Sequence, residues 1–362
     1  MSVEPIAIKA VHHVEIWAGN AKQAAFYYRK GFGFSQLAYA GLETGLKDRT
    51  SYCLADGKVR LVLSTPLSAD GPMGEFLDRH GDGVRDIAFL VDDADRAFAL
   101  AVERGAKPLQ APIDRSDAHG SVRHAAIHTY GDVVHSFIAM RDYRGVFLPG
   151  YREQRSEEPS FGFKVIDHIV GNVEEGKMEY WREWYERVLG WTQFLSFDDK
   201  DISTEYTALR SKVMSSPTAN IRFPINEPAK GLKKSQIEEY LQFNAGPGSQ
   251  HIALLTGDIV ATVSKLKAAG VEFLQVPKSY YETLASRIGS IDEDLSVLAG
   301  LGILVDRDDK GYLLQLFTKP VEDRPTLFFE VIQRKGCNSF GKGNFRALFE
   351  SIEREQASRG TL

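Results

Sequence analysis

With 362 residues, 43% hydrophobic and 26% charged, the chain has the composition of a water-soluble globular protein and is too long for one ordinary core. A net charge of −5, interspersed and without a basic stripe or polybasic run, excludes nucleic-acid and membrane-surface binding as expectations, and no apolar stretch approaches the roughly 20 residues that span a bilayer. The first ten residues carry Glu4 and no long apolar run, so no secretory signal is expected; the isolated Cys53 and Cys337 make no disulfide framework, and a reducing cytoplasm is the expected compartment.

From the N-terminus, Val11-His12-His13-Val14-Glu15 reads as a strand, followed by Gly19-Asn20 and an aromatic helical run, Ala25 to Arg29, ending at Gly31. Gly81-Asp82-Gly83-Val84-Arg85-Asp86-Ile87-Ala88 leads into a helix from about Asp93 to Arg104. The stretch from Tyr143 to Phe161, rich in Pro, Gly, Arg and Glu, reads as a linker, which places the domains at 1–154 and 155–362. Beyond it the series repeats. Ile166-Asp167-His168-Ile169-Val170 is followed by Gly171-Asn172 and a helix to Leu189, in which Met178, Trp181, Tyr185 and Val188 share one face and Gly190 suits the left-handed stop. Gly246-Pro247-Gly248-Ser249-Gln250-His251-Ile252-Ala253 leads into a helix from about Asp258 to Ala269. Each half therefore holds two units of strand, helix and further strands, four in all.

A last segment has no counterpart in the first half. Asn344 is a plausible cap, and Phe345, Leu348, Phe349 and Ile352 then form an apolar stripe opposite Arg346, Glu350 and Glu353. The approach, Phe340-Gly341-Lys342-Gly343, can flex, so this amphipathic helix suits a lid over a site.

Three residues of the second half carry the chemistry. His168, His251 and Glu330 each sit inside an apolar strand, where an unpaired charge is costly. A lone histidine in such a strand is usually a satisfied core residue. Three polar residues at corresponding strand positions point instead to one divalent ion, and two imidazoles with one carboxylate leave coordination positions open for substrate and oxygen, as in non-haem ferrous oxygenases. Aligning the halves sets His13 against His168, Asp86 against His251 and Phe137 roughly against Glu330, so the first half is expected to be metal-free and His13 structural. His80, His119, His124, His128 and His135 are also read as non-catalytic.

The chain resembles the 4-hydroxyphenylpyruvate dioxygenase family. The resemblance runs over nearly the whole length and is most specific in Val165–Val173, Phe223-Pro224-Ile225-Asn226-Glu227-Pro228, Lys234-Ser235-Gln236-Ile237, Gly248–Leu254, Tyr312–Pro320, Asp323-Arg324-Pro325-Thr326 and Phe340–Phe345. It implies an α+β, vicinal-oxygen-chelate fold: two domains of paired βαβββ units, each an open β-barrel flanked by helices, plus the C-terminal lid helix. It implies Fe(II) held by His168, His251 and Glu330. It places Gln250, Gln315, Asn226, Gln236 and Ser211 as polar groups at the reaction site, and Pro224, Phe317, Phe328, Phe340, Asn344 and Phe345 around the substrate. The implied reaction takes 4-hydroxyphenylpyruvate and dioxygen to homogentisate and carbon dioxide in tyrosine catabolism. The implied assembly is a homo-oligomer, a dimer or tetramer, with no nucleic acid or membrane partner.

Rival readings remain at several points. Regular pleating would turn Gln250 to the face opposite His251, giving it a supporting role. Residues 210–220 around Ser211 could form a surface turn. Among functions, hydroxymandelate synthase shares the same ligands and substrate, although Phe223–Pro228 is closer to the homogentisate-forming pattern. A glyoxalase-like lyase and a ligand-sequestering protein are more distant alternatives on the same superfold.

Overall fold

The central strands alternate, and that alternation gives each sheet one face for a core and one for a cavity. In the computed structural model, which describes residues 3–198, 204–218 and 220–362, two sheets account for the described strands. The first comprises β1 (Ile8–Trp17), β2 (Ser35–Ala40), β3 (Arg49–Asp56), β4 (Val59–Pro66), β5 (Gly83–Val91), β6 (Pro108–Asp117), β7 (Gly120–His128), β8 (Val134–Ala139) and β9 (Arg152–Ser156). Their order is β6-β7-β8-β5-β1-β4-β3-β2-β9. The second comprises β10 (Phe163–Asn172), β11 (Thr192–Phe197), β12 (Ala208–Ser215), β13 (Arg222–Ala229), β14 (Gly248–Thr256), β15 (Leu304–Asp308), β16 (Gly311–Phe317) and β17 (Phe328–Lys335), in the order β11-β12-β13-β10-β14-β17-β16-β15. Read from opposite ends, and with β9 set aside, the two orders are the same. The expected duplication is therefore present strand for strand. The expected linker is partly structured, because β9 pairs with β2 and extends the first sheet to Ser156.

The helices are α1 (Ala21–Phe32), α2 (Pro72–His80) and α3 (Ala94–Glu103) in the first half. The second half has α4 (Met178–Leu189), α5 (Gln236–Phe243), α6 (Ile259–Ala268), α7 (Lys278–Glu282), α8 (Leu284–Ile288), α9 (Leu295–Leu301) and α10 (Phe345–Arg359). Asp93 and Asp258 cap α3 and α6 at equivalent places, each carboxylate accepting from the backbone N–H three residues on. Gly190 ends α4 at φ 71°, as expected, whereas α1 runs past Gly31 and stops at Gly33, φ 72°. Gly31 lies inside α1 because Val271 packs against it; a Cβ there would lie 3.4 Å from a Val271 methyl. Among the described residues no helix is long and apolar enough to cross a membrane.

Val14, Ile87 and Phe137 on one sheet, and Ile169, Ile252 and Val331 on the other, share one continuous core with α1, α4 and α6. Helices α1 and α4 are sandwiched between the sheets. Tyr28 and Phe32 of α1 meet Phe329 of β17 edge-on and tilted, ring centres 5.6 and 5.1 Å apart, while Tyr185 of α4 meets His135 of β8, hydroxyl to Nε2, at 2.8 Å. The two halves should thus unfold together. Phe329→Ala, which empties a fully buried position at this junction, is expected to cost about 3–5 kcal/mol and to lower a single denaturation midpoint reported identically by fluorescence and circular dichroism. Two separated transitions would show that the halves are independent.

Candidate metal centre

Neighbouring strands β10, β14 and β17 bring the three candidate ligands together. In the ladder His168 pairs with Ala253, and Ala253 with Glu330, so the histidine of β10 and the carboxylate of β17 flank β14. His251, two residues before Ala253, projects from the same face. The ligating atoms of His168, His251 and Glu330 all lie within 4.8 Å of one another, and all three residues are buried. Glu330 Oε2 is 3.0 Å from His168 Nε2 and 3.4 Å from His251 Nε2.

Two β-bulges orient the imidazoles. The register of β10 against β14 slips between Ile166 and His168 and again between Val170 and Gly171, leaving Asp167 and Gln250 as the extra residues. An extra residue breaks the strict alternation, so each can turn to the side of the histidine that follows it. Asp167 accepts from His168 Nδ1 at 2.8 Å, and the Gln250 carbonyl oxygen accepts from His251 Nδ1 at 3.0 Å. Both contacts fix the proton on Nδ1 and leave the Nε2 lone pair for the shared centre. Asp167 is itself held by a two-pronged contact from Arg334, at 2.7 and 2.8 Å, whose guanidinium also lies over Phe340.

Electrostatics follow this chain of contacts. Burial alone would raise the Asp167 carboxyl, but Arg334 and His168 hold it well below the usual carboxylate range. Burial would lower His168, yet Glu330 and Asp167 overcome it and raise the imidazole above its ordinary value. For His251 burial wins and its value is lowered. Glu330, which burial would raise, is held low by His168 and then His251.

The donor set fits a divalent cation. His251 Nε2 is buried with no hydrogen-bond partner, and the amide oxygen of Gln315, which lines the same cavity, is equally unpartnered. Buried polar atoms left open this way mark a place for a ligand. The cavity in front of them has a volume of about 80 Å³. Its wall includes thirteen of the fourteen residues expected from the sequence: His168, Ser211, Pro224, Asn226, Gln236, Gln250, His251, Gln315, Phe317, Phe328, Glu330, Phe340 and Phe345. Ser211 is in β12 and 5% exposed, so residues 210–215 are strand rather than a surface turn. Gln250 lines the cavity because the bulge turns it there, against the expectation from regular pleating.

Asn344 is the exception. It is fully buried behind the cavity wall, with Oδ1 accepting from the Tyr280 hydroxyl at 2.7 Å, and its side chain makes no cap for α10. The pairing of Glu330 with Phe137 also needs correction. Asp86 pairs with Val134 where His251 pairs with Phe328, so two residues further on Glu330 corresponds to Ser136. The sequence reading missed Asp167 and Arg334 as supports, and Phe197, Leu209 and Val213 as wall. An aspartate inside an apolar strand beside a candidate ligand was the available signal for the first; the wall residues read as ordinary core.

Phe328 stacks on the His251 ring at 4.8 Å and Phe340 meets the His168 ring edge-on at 5.0 Å, so aromatic carbon surrounds the ligands on two sides. Helix α10 closes the cavity with Phe345, Leu348, Phe349 and Ile352. Its far end is tied down by Arg359 and Thr361, both donating to the buried Glu239 of α5. Gly341, φ 77°, makes the turn into this helix, and a Cβ there would lie 2.7 Å from the Gln315 amide oxygen. Only glycine meets both demands.

Similarity to known proteins agrees with this geometry. Residues 162–316 match a family model described as the Glyoxalase/Bleomycin resistance protein/Dioxygenase superfamily, and residues 12–124 match a second model of that superfamily. The chain is 49% identical to a 4-hydroxyphenylpyruvate dioxygenase of Danio rerio, covering 97% of this chain and 91% of that protein. It is 48% identical to one of Tetrahymena thermophila, with the same coverage of 97% and 91%. A solved triple mutant of 4-hydroxymandelate synthase from Streptomyces coelicolor superposes with a TM-score of 0.87 at 32% identity, covering 98% of this chain and all of the other. Glu330→Gln, which keeps shape and removes charge, should leave the fold intact but lower bound divalent metal, measured by elemental analysis after dialysis, by at least about tenfold. Unchanged metal content in that variant would remove Glu330 from the ligand set.

Proposed function

The chain belongs to the 4-hydroxyphenylpyruvate dioxygenase family, and from that membership we propose that it holds Fe(II) on His168, His251 and Glu330 and forms homogentisate. It is an enzyme of dioxygenase type, and its family supports a role in tyrosine catabolism. The observation that carries the iron reading is the buried convergence of two Nε2 atoms and one carboxylate in a cavity whose other lining residues are all uncharged, phenylalanines, aliphatic side chains and neutral amides among them.

Fe(II) bound there would supply a Lewis-acidic seat for the two oxygens of an α-keto acid and a redox-active centre for dioxygen, the net electrons coming from the substrate. The balance closes without another reductant: the substrate carboxyl leaves as carbon dioxide, one oxygen atom enters the new carboxylate, and the other enters the ring. The protein contributes position and dryness. Asp167 and Gln250 keep the imidazole protons on Nδ1. Ser211, Asn226 and Gln236 offer hydroxyl and amide groups that can hold a phenol oxygen without adding charge. Asn226 and Gln236 are already anchored, toward Asn172 at 3.4 Å and Gln250 at 3.5 Å. Phe328 and Phe345 can flank an aromatic ring, and α10 keeps bulk water out. A cytoplasmic homo-oligomer is the setting consistent with this reading.

Anaerobic reconstitution with Fe(II), followed by 4-hydroxyphenylpyruvate and air, should consume one dioxygen per carbon dioxide released and give homogentisate by chromatography. 4-Hydroxymandelate as the product would instead assign the synthase reaction of the structural neighbour, and no oxygen uptake would sink both. Asn226→Leu, which keeps volume but removes the amide, should lower kcat/KM by roughly tenfold or more without changing iron content. An unaltered kcat/KM would take Asn226 out of substrate binding.

A further inference from the structure

The barrel of the first half encloses a cavity of its own, about 450 Å³ against about 80 Å³ for the metal cavity. The duplication puts it there: His13, Asp86 and Ser136 line it at the positions of His168, His251 and Glu330. These three do not repeat the metal centre. The Ser136 hydroxyl donates to Asp86, His124 Nε2 lies 3.1 Å from the same hydroxyl, and His13 Nδ1 lies 2.8 Å from His12 Nδ1, while His124 Nδ1 is buried without a partner. The cavity has also not been closed, because the lid helix α10 has no counterpart in this half.

Its walls are rich in donors that lack acceptors. Arg49, Arg85 and Arg115 all line it. Arg85 is engaged, donating to the Asp132 carbonyl and lying 4.8 Å over the Trp17 ring. Arg49 has only the exposed Asp48, at 3.7 Å. Arg115 of β6 is exposed at the cavity wall; its backbone pairs with β7, its guanidinium meets no acceptor among the described residues, and desolvation by the wall, then the charge of Arg49, hold that guanidinium below the ordinary range. The Trp17 indole N–H is buried without an acceptor. Opposing these are Glu15, which accepts from Ser64, and Asp86, whose carboxyl burial pushes up to about 7. Three guanidinium groups thus share the wall with two carboxyl groups. Leu109, Ile138, Leu148 and Pro149 give the rest of the wall an apolar surface.

We propose that this N-terminal cavity binds a small organic carboxylate, its anionic end taken by Arg49 and Arg115 and its apolar body by the leucine-lined wall. Charge alone would admit inorganic anions; the apolar lining is what selects an organic one. The site belongs to the half without the metal, so it stands whether or not iron is the metal of the other barrel.

Titration calorimetry of the full chain with benzoate, its neutral counterpart benzamide, and inorganic phosphate tests the assignment. Benzoate should bind more tightly than benzamide or phosphate. The Arg49→Gln/Arg115→Gln double variant should weaken benzoate about tenfold while leaving turnover of 4-hydroxyphenylpyruvate unchanged. Trp17→Phe, which keeps an aromatic ring and removes the indole donor, should weaken it by a smaller factor and serves if the double variant fails to fold. The proposal is overturned if benzoate produces no binding signal, if the variants bind it as the native chain does, if phosphate binds equally well, or if benzoate merely competes with the substrate.

Discussion

A line of contacts running from Arg334 through Asp167 and His168 to Glu330 holds the active half of this protein in order. Each link is buried: the guanidinium steadies the aspartate, the aspartate fixes the imidazole proton on Nδ1, and this leaves the His168 Nε2 lone pair and the Glu330 carboxylate, 3.0 Å apart, as two acceptors that a shared cation would satisfy. Removing any one partner would leave its neighbour as an uncompensated charge or donor in an apolar interior, which is far more costly than any single contact is stabilising. His251, held by Gln250, leads into the same point from the adjacent strand. What remains unsatisfied after all of this is the set of atoms that a divalent cation would take.

Arg334 also links the metal centre to the lid. Its guanidinium donates to the Ser339 carbonyl at 2.6 Å and lies over the Phe340 ring, and that ring contacts His168. The turn that launches α10 is therefore tied to the side chain that orients His168, a candidate metal ligand. Closure by the apolar face of α10 and the disposition of His168 share one support.

Duplication explains why one chain can hold two differently charged cavities. The alternating strands commit Ile169, Ile252 and Val331 to the central core, as they commit Val14, Ile87 and Phe137, and this shared core keeps both barrels folded. The opposite face of each sheet carries no such obligation. In the second half it holds two imidazoles and a carboxylate beneath a helix; in the first, a histidine with a hydrogen-bonded aspartate and serine beneath arginines.

Much of this was legible in the chain itself, because strand alternation, helix periodicity, glycine stops and internal repetition are local properties that survive translation into three dimensions. They located His168, His251 and Glu330 in strands, predicted the α+β duplication and its terminal helix, and, through the family resemblance, named thirteen of the twenty residues that line the cavity. What they could not provide was the register between strands distant in sequence. Whether Phe137 or Ser136 stands opposite Glu330 depends on how β5 pairs with β8, and whether Gln250 faces the cavity depends on a bulge formed only when β14 meets β10. Asn344 was sent behind the cavity wall by a tyrosine 64 residues away. Residue types and their periodicity set which side chains could serve; the pairing of strands decided which of them meet, because a slip of one residue turns a side chain from one face of a sheet to the other.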